Sequence, residues 1–194
     1  MRAVLLTCTT LFAVVLSRRA VSAGSAPRCL EHNIPDRILG ELLLMVHRSK
    51  HSLPKDENKH KKLLPNFSRS LKKSKGISII KEMLDFYFYN VFSDKSLEIT
   101  NQEEILTFLS RLRQDVSYCL GLYPSNLSSK EKNLIRNMKN KFMKMRRPGV
   151  YKALGEFKTL LIWMDTYMHS TNSRRKRNEL PVDPTAATEA TTLV

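Results

Sequence analysis

Apolar residues recur every three or four positions along most of this chain, and that spacing predicts helices. One stripe, Ile34, Ile38, Leu42, Met45 and Val46, predicts a helix over 35–50, with Asn33 ahead of it and Pro35 suited to a first helical turn. A second, Ile80, Met83, Leu84, Tyr87 and Val91, covers 77–92. The aromatic run Phe86-Tyr87-Phe88-Tyr89 inside it covers more than one face and is expected to pack in the core rather than to stack nucleobases. A third stripe is Ile105, Leu109, Leu112, Val116 and Cys119, and a fourth is Leu134, Ile135, Met138, Phe142 and Met145. The strongest runs from Val150 through Ala153, Leu154, Phe157, Leu160, Leu161 and Met164 to Met168.

Start and stop signals frame these stripes. Thr100 with Glu103, and Ser128 with Glu131, each have the spacing of a capping box, in which the two side chains satisfy orphan backbone N–H groups. Pro148-Gly149 predicts the end of the fourth long helix. Residues 51–62 are polar, contain Pro54 and read as a loop, and 65–75 holds room for a short helix. No alternating run is bracketed by turn signals, so no strand series is expected. Five or six helices joined by mostly short loops predict an all-α bundle.

The two ends differ from this pattern. Ala3–Leu16 is uncharged and mostly apolar, too short to span a bilayer, and is followed by small residues at Val21-Ser22-Ala23. Residues 1–23 therefore read as a secretory signal peptide. No other segment has transmembrane length, so a soluble, extracellular protein without membrane insertion is expected. The helical domain spans 24–170. After it, 171–194 holds the tetrabasic run Arg174-Arg175-Lys176-Arg177 and then a Thr-, Ala- and Pro-rich stretch without a stripe, which reads as a disordered tail. In a secretory pathway the run suits a furin-type protease cutting after Arg177. Uncut, it is a basic linker that binds polyanions.

Composition sharpens the picture. The 194 residues carry 33 Lys and Arg against 18 Asp and Glu, a formal charge of +15. Removing the leader, with three Arg and no acid, leaves +12. Such an excess favours polyanionic partners. Much of it lies on the helix after Ser128, where Lys139, Lys141, Lys144, Arg146 and Arg147 are candidates for glycosaminoglycan, DNA or bacterial surfaces. A cationic host-defence protein is thus one reading of function. The leader also removes Cys8, leaving Cys29 and Cys119, which form either one disulfide, the economical choice in an oxidising compartment, or two free thiols.

Catalytic chemistry is hard to find. The chain lacks a glycine-rich phosphate loop, H-E-x-x-H and G-x-S-x-G, so no enzyme and no cofactor is expected. His47 and His51 lie one turn apart, but no carboxylate or thiol completes a ligand set at recognisable spacing, and no metal is expected. Asn66-Phe67-Ser68 and Asn126-Leu127-Ser128 are N-glycosylation acceptors in predicted loops.

Gly149-Val-Tyr-Lys-Ala-Leu-Gly-Glu-Phe157, continuing through Leu160 to Met168, resembles the last helix of the interleukin-10 family. Leu112-Arg-Gln-Asp-Val-Ser-Tyr-Cys119 is similar to the end of that family's fourth helix, Glu82–Tyr87 with Asn90-Val91 to its third, and Asn33-Ile-Pro35 to the start of its first. The resemblance implies a helical cytokine bundle, monomeric or an intertwined homodimer. It implies a Cys29–Cys119 bridge, while the family's second cysteine pair would fall at Ile77 and Ser125 and is missing. It implies a cytokine bridging a class II cytokine receptor heterodimer to activate Janus kinases and STAT factors. Lys152 and Glu156 match receptor-contact positions, and Lys158 falls where interleukin-10 has an acid, which reverses the charge there. With the apolar stripe inward, Lys152, Glu156 and Asp165 are expected to face solvent.

Overall fold

The computed structural model describes residues 24–49, 60–94 and 97–170. The leader at 1–23, His51 and Pro54, Arg177 and the tail at 171–194 lie outside them. Seven α-helices follow in order: α1 Ala26–Asn33, α2 Asp36–Ser49, α3 Ser68–Leu71, α4 Gly76–Phe86, α5 Gln102–Leu122, α6 Ser129–Met145 and α7 Arg147–Met168, with α4 running into a π-helical stretch at Tyr87–Phe92. Among the described residues there is no strand, and none of the helices is long and apolar enough to cross a membrane. The all-α expectation holds.

Each long stripe becomes a buried face. Ile105, Leu109, Leu112, Val116 and Cys119 of α5 are fully buried, as are Phe157, Leu160 and Met164 of α7. α4 is packed between α5 and α7, and α7 also packs on α1, α2, α3 and α6 of its own chain. Aromatic rings meet edge-on at the centre: Phe86 and Phe142 at 5.0 Å, Tyr87 and Phe157 at 4.9 Å, Phe92 and Phe157 at 5.2 Å. Burying an aromatic or large aliphatic side chain is worth about 1.5–3 kcal/mol, so these faces dominate the fold's stability.

The π stretch explains how a run of large residues fits. Its wider turn bonds i to i+5, seen as Ser93 N–H donating to the Phe88 carbonyl at 3.2 Å. Positions i, i+4 and i+5 then share a face, and Tyr87, Val91 and Phe92 are all buried. The Tyr87 hydroxyl donates to the Ala153 carbonyl on α7 at 2.9 Å. Burial, with the Glu156 charge adding, pushes the Tyr87 phenol well above its ordinary range. Tyr89 is exposed and Phe88 half-buried at the edge of the core, with the Arg113 guanidinium 4.4 Å from the Phe88 ring centre and 4.5 Å from that of Tyr89.

Several local expectations change. α1 is an additional helix, and it carries Cys29. The short helix within 65–75 is one turn, Ser68–Leu71. The Ser128 box forms: the Ser128 N–H and hydroxyl both donate to the Glu131 carboxylate at 2.7 Å, and Glu131 N–H donates back to Ser128 Oγ at 3.4 Å. The Thr100 box does not. Asn101 takes the left-handed conformation (φ 64°) that asparagine tolerates, so α5 starts one residue later, without a side-chain cap. The Thr100 carbonyl instead accepts from Ser49 Oγ at 2.8 Å. Pro148-Gly149 does not end α6. α6 stops at Met145, Arg146 turns the chain at φ 52°, and Pro148 sits in the first turn of α7, where its missing N–H costs nothing. Gly149 permits the close turn: a Cβ there would lie 2.8 Å from the Phe142 carbonyl oxygen.

Candidate functional site

Cys29 and Cys119 are bonded, with Cα atoms 5.7 Å apart, and tie α1 to the C-terminal end of α5. Asn33 Nδ2 donates to the Cys29 carbonyl at 2.7 Å beside the bridge. A second link joins α4 to the segment ahead of α6. Ser78 Oγ lies 2.5 Å from Ser125 Oγ and donates to the Ser125 carbonyl at 2.8 Å. Ser78, next in sequence to Ile77, thus meets Ser125 through a hydroxyl contact.

The main correction concerns α7. Lys152 is 6% exposed and does not face solvent. Its Nζ lies 3.4 Å from Glu156 Oε1. Glu156 is half-buried, and its carboxylate accepts from two backbone amides: Leu63 N–H at 2.9 and 3.1 Å and Leu64 N–H at 2.7 Å. Both residues sit at the edge of the apolar stripe. Their long stems fold over it, toward the segment ahead of α3. Hydrogen bonds to a charged acceptor are worth about 1.5–3 kcal/mol each, so this carboxylate fastens residues 63–64 to α7. Phe67 completes the attachment, buried and edge-on to Trp163 at 5.6 Å.

What α7 does present outward is Gly155, Lys158, Ile162 and Asp165 at helical spacing, all exposed. Ile162 is 51% exposed. α2 packs beside α7 and presents Arg37, Glu41 and Leu44, with Leu44 57% exposed. Mixed charge around exposed apolar residues, on helices whose opposite faces are locked in the core, is the make-up of a protein-binding surface. Asp165 thus matches the outward expectation, and Lys152 and Glu156 do not; Lys158 is exposed as well.

The basic candidates also divide. Lys144, Arg146 and Arg147 are exposed. Lys139 is half-buried and pairs with Glu82 of α4 at 3.0 Å, and Lys141 donates to the Lys62 carbonyl. Asn66 and Asn126 are both exposed, in the segments ahead of α3 and α6. Asn66 Oδ1 accepts from the Ser68 N–H at 3.0 Å. Arg113, inside the Leu112–Cys119 run, bonds Asp85 of α4 at 2.7 Å. Burial pushes the Asp85 carboxyl up, but Lys81 and Arg113 outweigh it and hold the group below its ordinary value.

A family model described as Interleukin 10 matches residues 4–170. Interleukin-26 of Homo sapiens is 27% identical over 124 residues, covering 63% of this chain and 69% of that protein. The Viral interleukin-10 homolog of Equine herpesvirus 2 (strain 86/87) is 28% identical over 175 residues, 86% of this chain and 96% of that protein. Interleukin-10 of Cervus elaphus is 28% identical over 174 residues, covering 84% and 93%. The basic charge and Leu112-Arg113-Gln114 resemble interleukin-26, which is among the relatives matched. The buried stripes, the α7 motif and a family match along most of its length place this chain in the interleukin-10 family of helical cytokines.

Proposed function

We propose that the protein is secreted and bridges two class II cytokine receptor chains, whose Janus kinases then phosphorylate STAT factors. The observation that carries this reading is the outward α7 row of Lys158, Ile162 and Asp165, on a helix whose Glu156 pins residues 63–64. Lys158 and Ile162 contact a receptor chain directly. Lys152 and Glu156 act through the segment they hold. Because Lys158 stands where interleukin-10 has an acid, a receptor built to complement that acid is repelled, and the partner is a different chain or a shifted footprint. The protein supplies surfaces and geometry and performs no reaction.

The same reading covers processing. Residues 1–23 are removed, Asn66 and Asn126 carry glycans, and a furin-type protease cuts after Arg177. Asn126 directly precedes the Ser128 box, so its glycan must be added before α6 forms.

The test is a STAT reporter in cells expressing defined pairs of class II receptor chains, treated with the purified secreted protein. Activation by one pair at nanomolar protein, lost when either chain is blocked, is the expected result. Silence in every pair overturns the reading.

A further inference from the structure

α6 meets α4 along one flank, and a groove of about 450 Å³ lies there. Ile135 and Met143 contribute apolar surface to it, Lys132, Arg136 and Lys139 supply basic groups, and Glu82 of α4 is its one acid. Met143 is 64% exposed, more than any other large apolar side chain among the described residues. Lys139 is paired with Glu82 at 3.0 Å, so the net positive charge of the groove rests with Lys132 and Arg136, both exposed. Arg136 also donates to Asn133 Oδ1 at 2.8 Å. Positions 132, 136, 139 and 143 recur every three or four residues and share this flank of α6. Lys141, which bonds the Lys62 carbonyl, faces another way.

The chain itself carries a segment of matching composition. Residues 178–194 hold Glu179, Asp183 and Glu189 and no Lys or Arg. Leu180, Pro181 and Val182 stand between the first two acids. Pro181 and Pro184 favour extended backbone at Leu180 and Asp183, because a proline disfavours the helical region for the residue ahead of it. Extended, Glu179 and Asp183 are ~13 Å apart. Lys132 to Lys139 span ~10 Å of helix axis, and their long stems take up the difference. The segment also reaches. The Tyr167 ring, near the end of α7, leaves no room for a Cβ at Gly76, and the neighbouring Lys75 Nζ lies 3.7 Å from the Glu131 carboxylate. α7 therefore ends where α6 begins, and Lys132 is in the first turn of α6. The nine residues from Ser170 to Glu179 extend to ~30 Å.

We propose that in the uncut chain residues 179–183 dock in this groove, with Leu180 and Val182 on Ile135 and Met143 and the two acids beside Lys132 and Arg136. Apolar surface between basic groups selects a segment with apolar residues between acids over acidity alone, because covering Met143 takes that surface out of water. A short tether holds the segment at millimolar local concentration, so weak contacts are enough to seat it. A cut after Arg177 ends that advantage: at nanomolar protein the freed segment leaves and the groove opens. The inference goes beyond receptor bridging. It does not require the cut, and it gives the cut a consequence.

Met143 is the reporter, because peroxide oxidises an exposed thioether faster than a covered one. The full secreted chain, uncut, is compared with the same protein after furin-type cleavage, by mass spectrometry of Met143, with half-buried Met145 as the reference. Met143 should oxidise at least ~5-fold more slowly in the uncut chain. L180D/V182D adds acid but removes the apolar contact, and uncut it should oxidise like the cut protein. Carbodiimide coupling of the uncut chain should join Glu179 or Asp183 to Lys132 or Lys139. Equal oxidation of Met143 before and after the cut overturns the proposal. So does an L180D/V182D chain that keeps its protection, since acidity alone would then hold the segment, and so does coupling that goes elsewhere or nowhere. The substituted residues lie outside the bundle, so folding is not at stake. If the protease fails to cut, a chain ended at Arg177, which keeps all seven helices, gives the same comparison, and only the processing reading fails.

Discussion

Glu156 is the residue whose loss should do the most damage for its exposure. Replacing it with Ala removes the acceptor of the Leu63 and Leu64 N–H groups and the carboxylate 3.4 Å from the buried Lys152 ammonium. Each charged hydrogen bond contributes about 1.5–3 kcal/mol, and breaking a buried pair costs about 3–5 kcal/mol. These contributions share one carboxylate and do not add, so the expected loss is about 4 kcal/mol. For a domain of this size that lowers Tm by about 12 °C. E156Q keeps one oxygen for Leu64 but turns an NH2 toward donors, and should lose about 2–3 kcal/mol. Adding K152M to E156Q removes the buried ammonium, and the double variant should recover about 1 kcal/mol over E156Q alone. Denaturant unfolding measures all three. Hydrogen exchange adds a local readout, because the Leu63 and Leu64 amides, outside any helix, should be protected in wild type and exchange freely in E156A. An E156A variant within ~1 kcal/mol of wild type, with those amides unchanged, would refute the argument that this carboxylate fastens the segment.

Three further outcomes follow from particular contacts. Burial pushes the Glu131 carboxyl up, but Ser128, Ser70 and Lys75 outweigh it and hold the group at about 2. A pKa lowered from 4.5 stabilises the fold fully above pH ~4.5 and progressively less as pH falls toward 2. E131Q should therefore cost on the order of 2 kcal/mol at pH 7 and little at pH 2, by urea unfolding at both. G149A places a Cβ 2.8 Å from the Phe142 carbonyl and 3.1 Å from Met145 Cβ, and should cost about 1–3 kcal/mol by thermal melting. S78C/S125C should form a second bridge, since the serine oxygens already lie 2.5 Å apart. Its loop of 47 residues predicts about 4 kcal/mol under non-reducing conditions, lost on reduction, whereas I77C/S125C should leave free thiols.

The helices were legible because burial imposes a period near 3.6 on the sequence, and α5, α6 and α7 follow it without interruption. The Ser128 box was legible because both partners are side chains at fixed spacing. The same logic failed at Thr100, where the tolerance of Asn101 for a left-handed backbone offered the chain another way into α5. The π stretch carries no period of its own within six residues. Lys152 and Glu156 were placed by angle around a helical wheel, which treats a side chain as a short radial vector. Their stems are long enough to fold over the stripe, and the groups that Glu156 holds are backbone amides, which leave no mark in the residue alphabet. The adjacency of residues 62 and 75 to α6 is a tertiary fact of the same kind, since a composition count sees the charges of both segments but not that they meet.

A bridging cytokine must join two receptor chains in one complex. Surface-plasmon binding of the purified secreted protein to immobilised class II receptor ectodomains, singly and then in sequence, measures this. The expected result is that one chain binds first, that K158E and I162E each weaken this step at least ~10-fold, and that a second chain binds only to the complex. If no ectodomain is captured, or if both substitutions leave the first step unchanged, the outward face of α7 is not the docking surface described here.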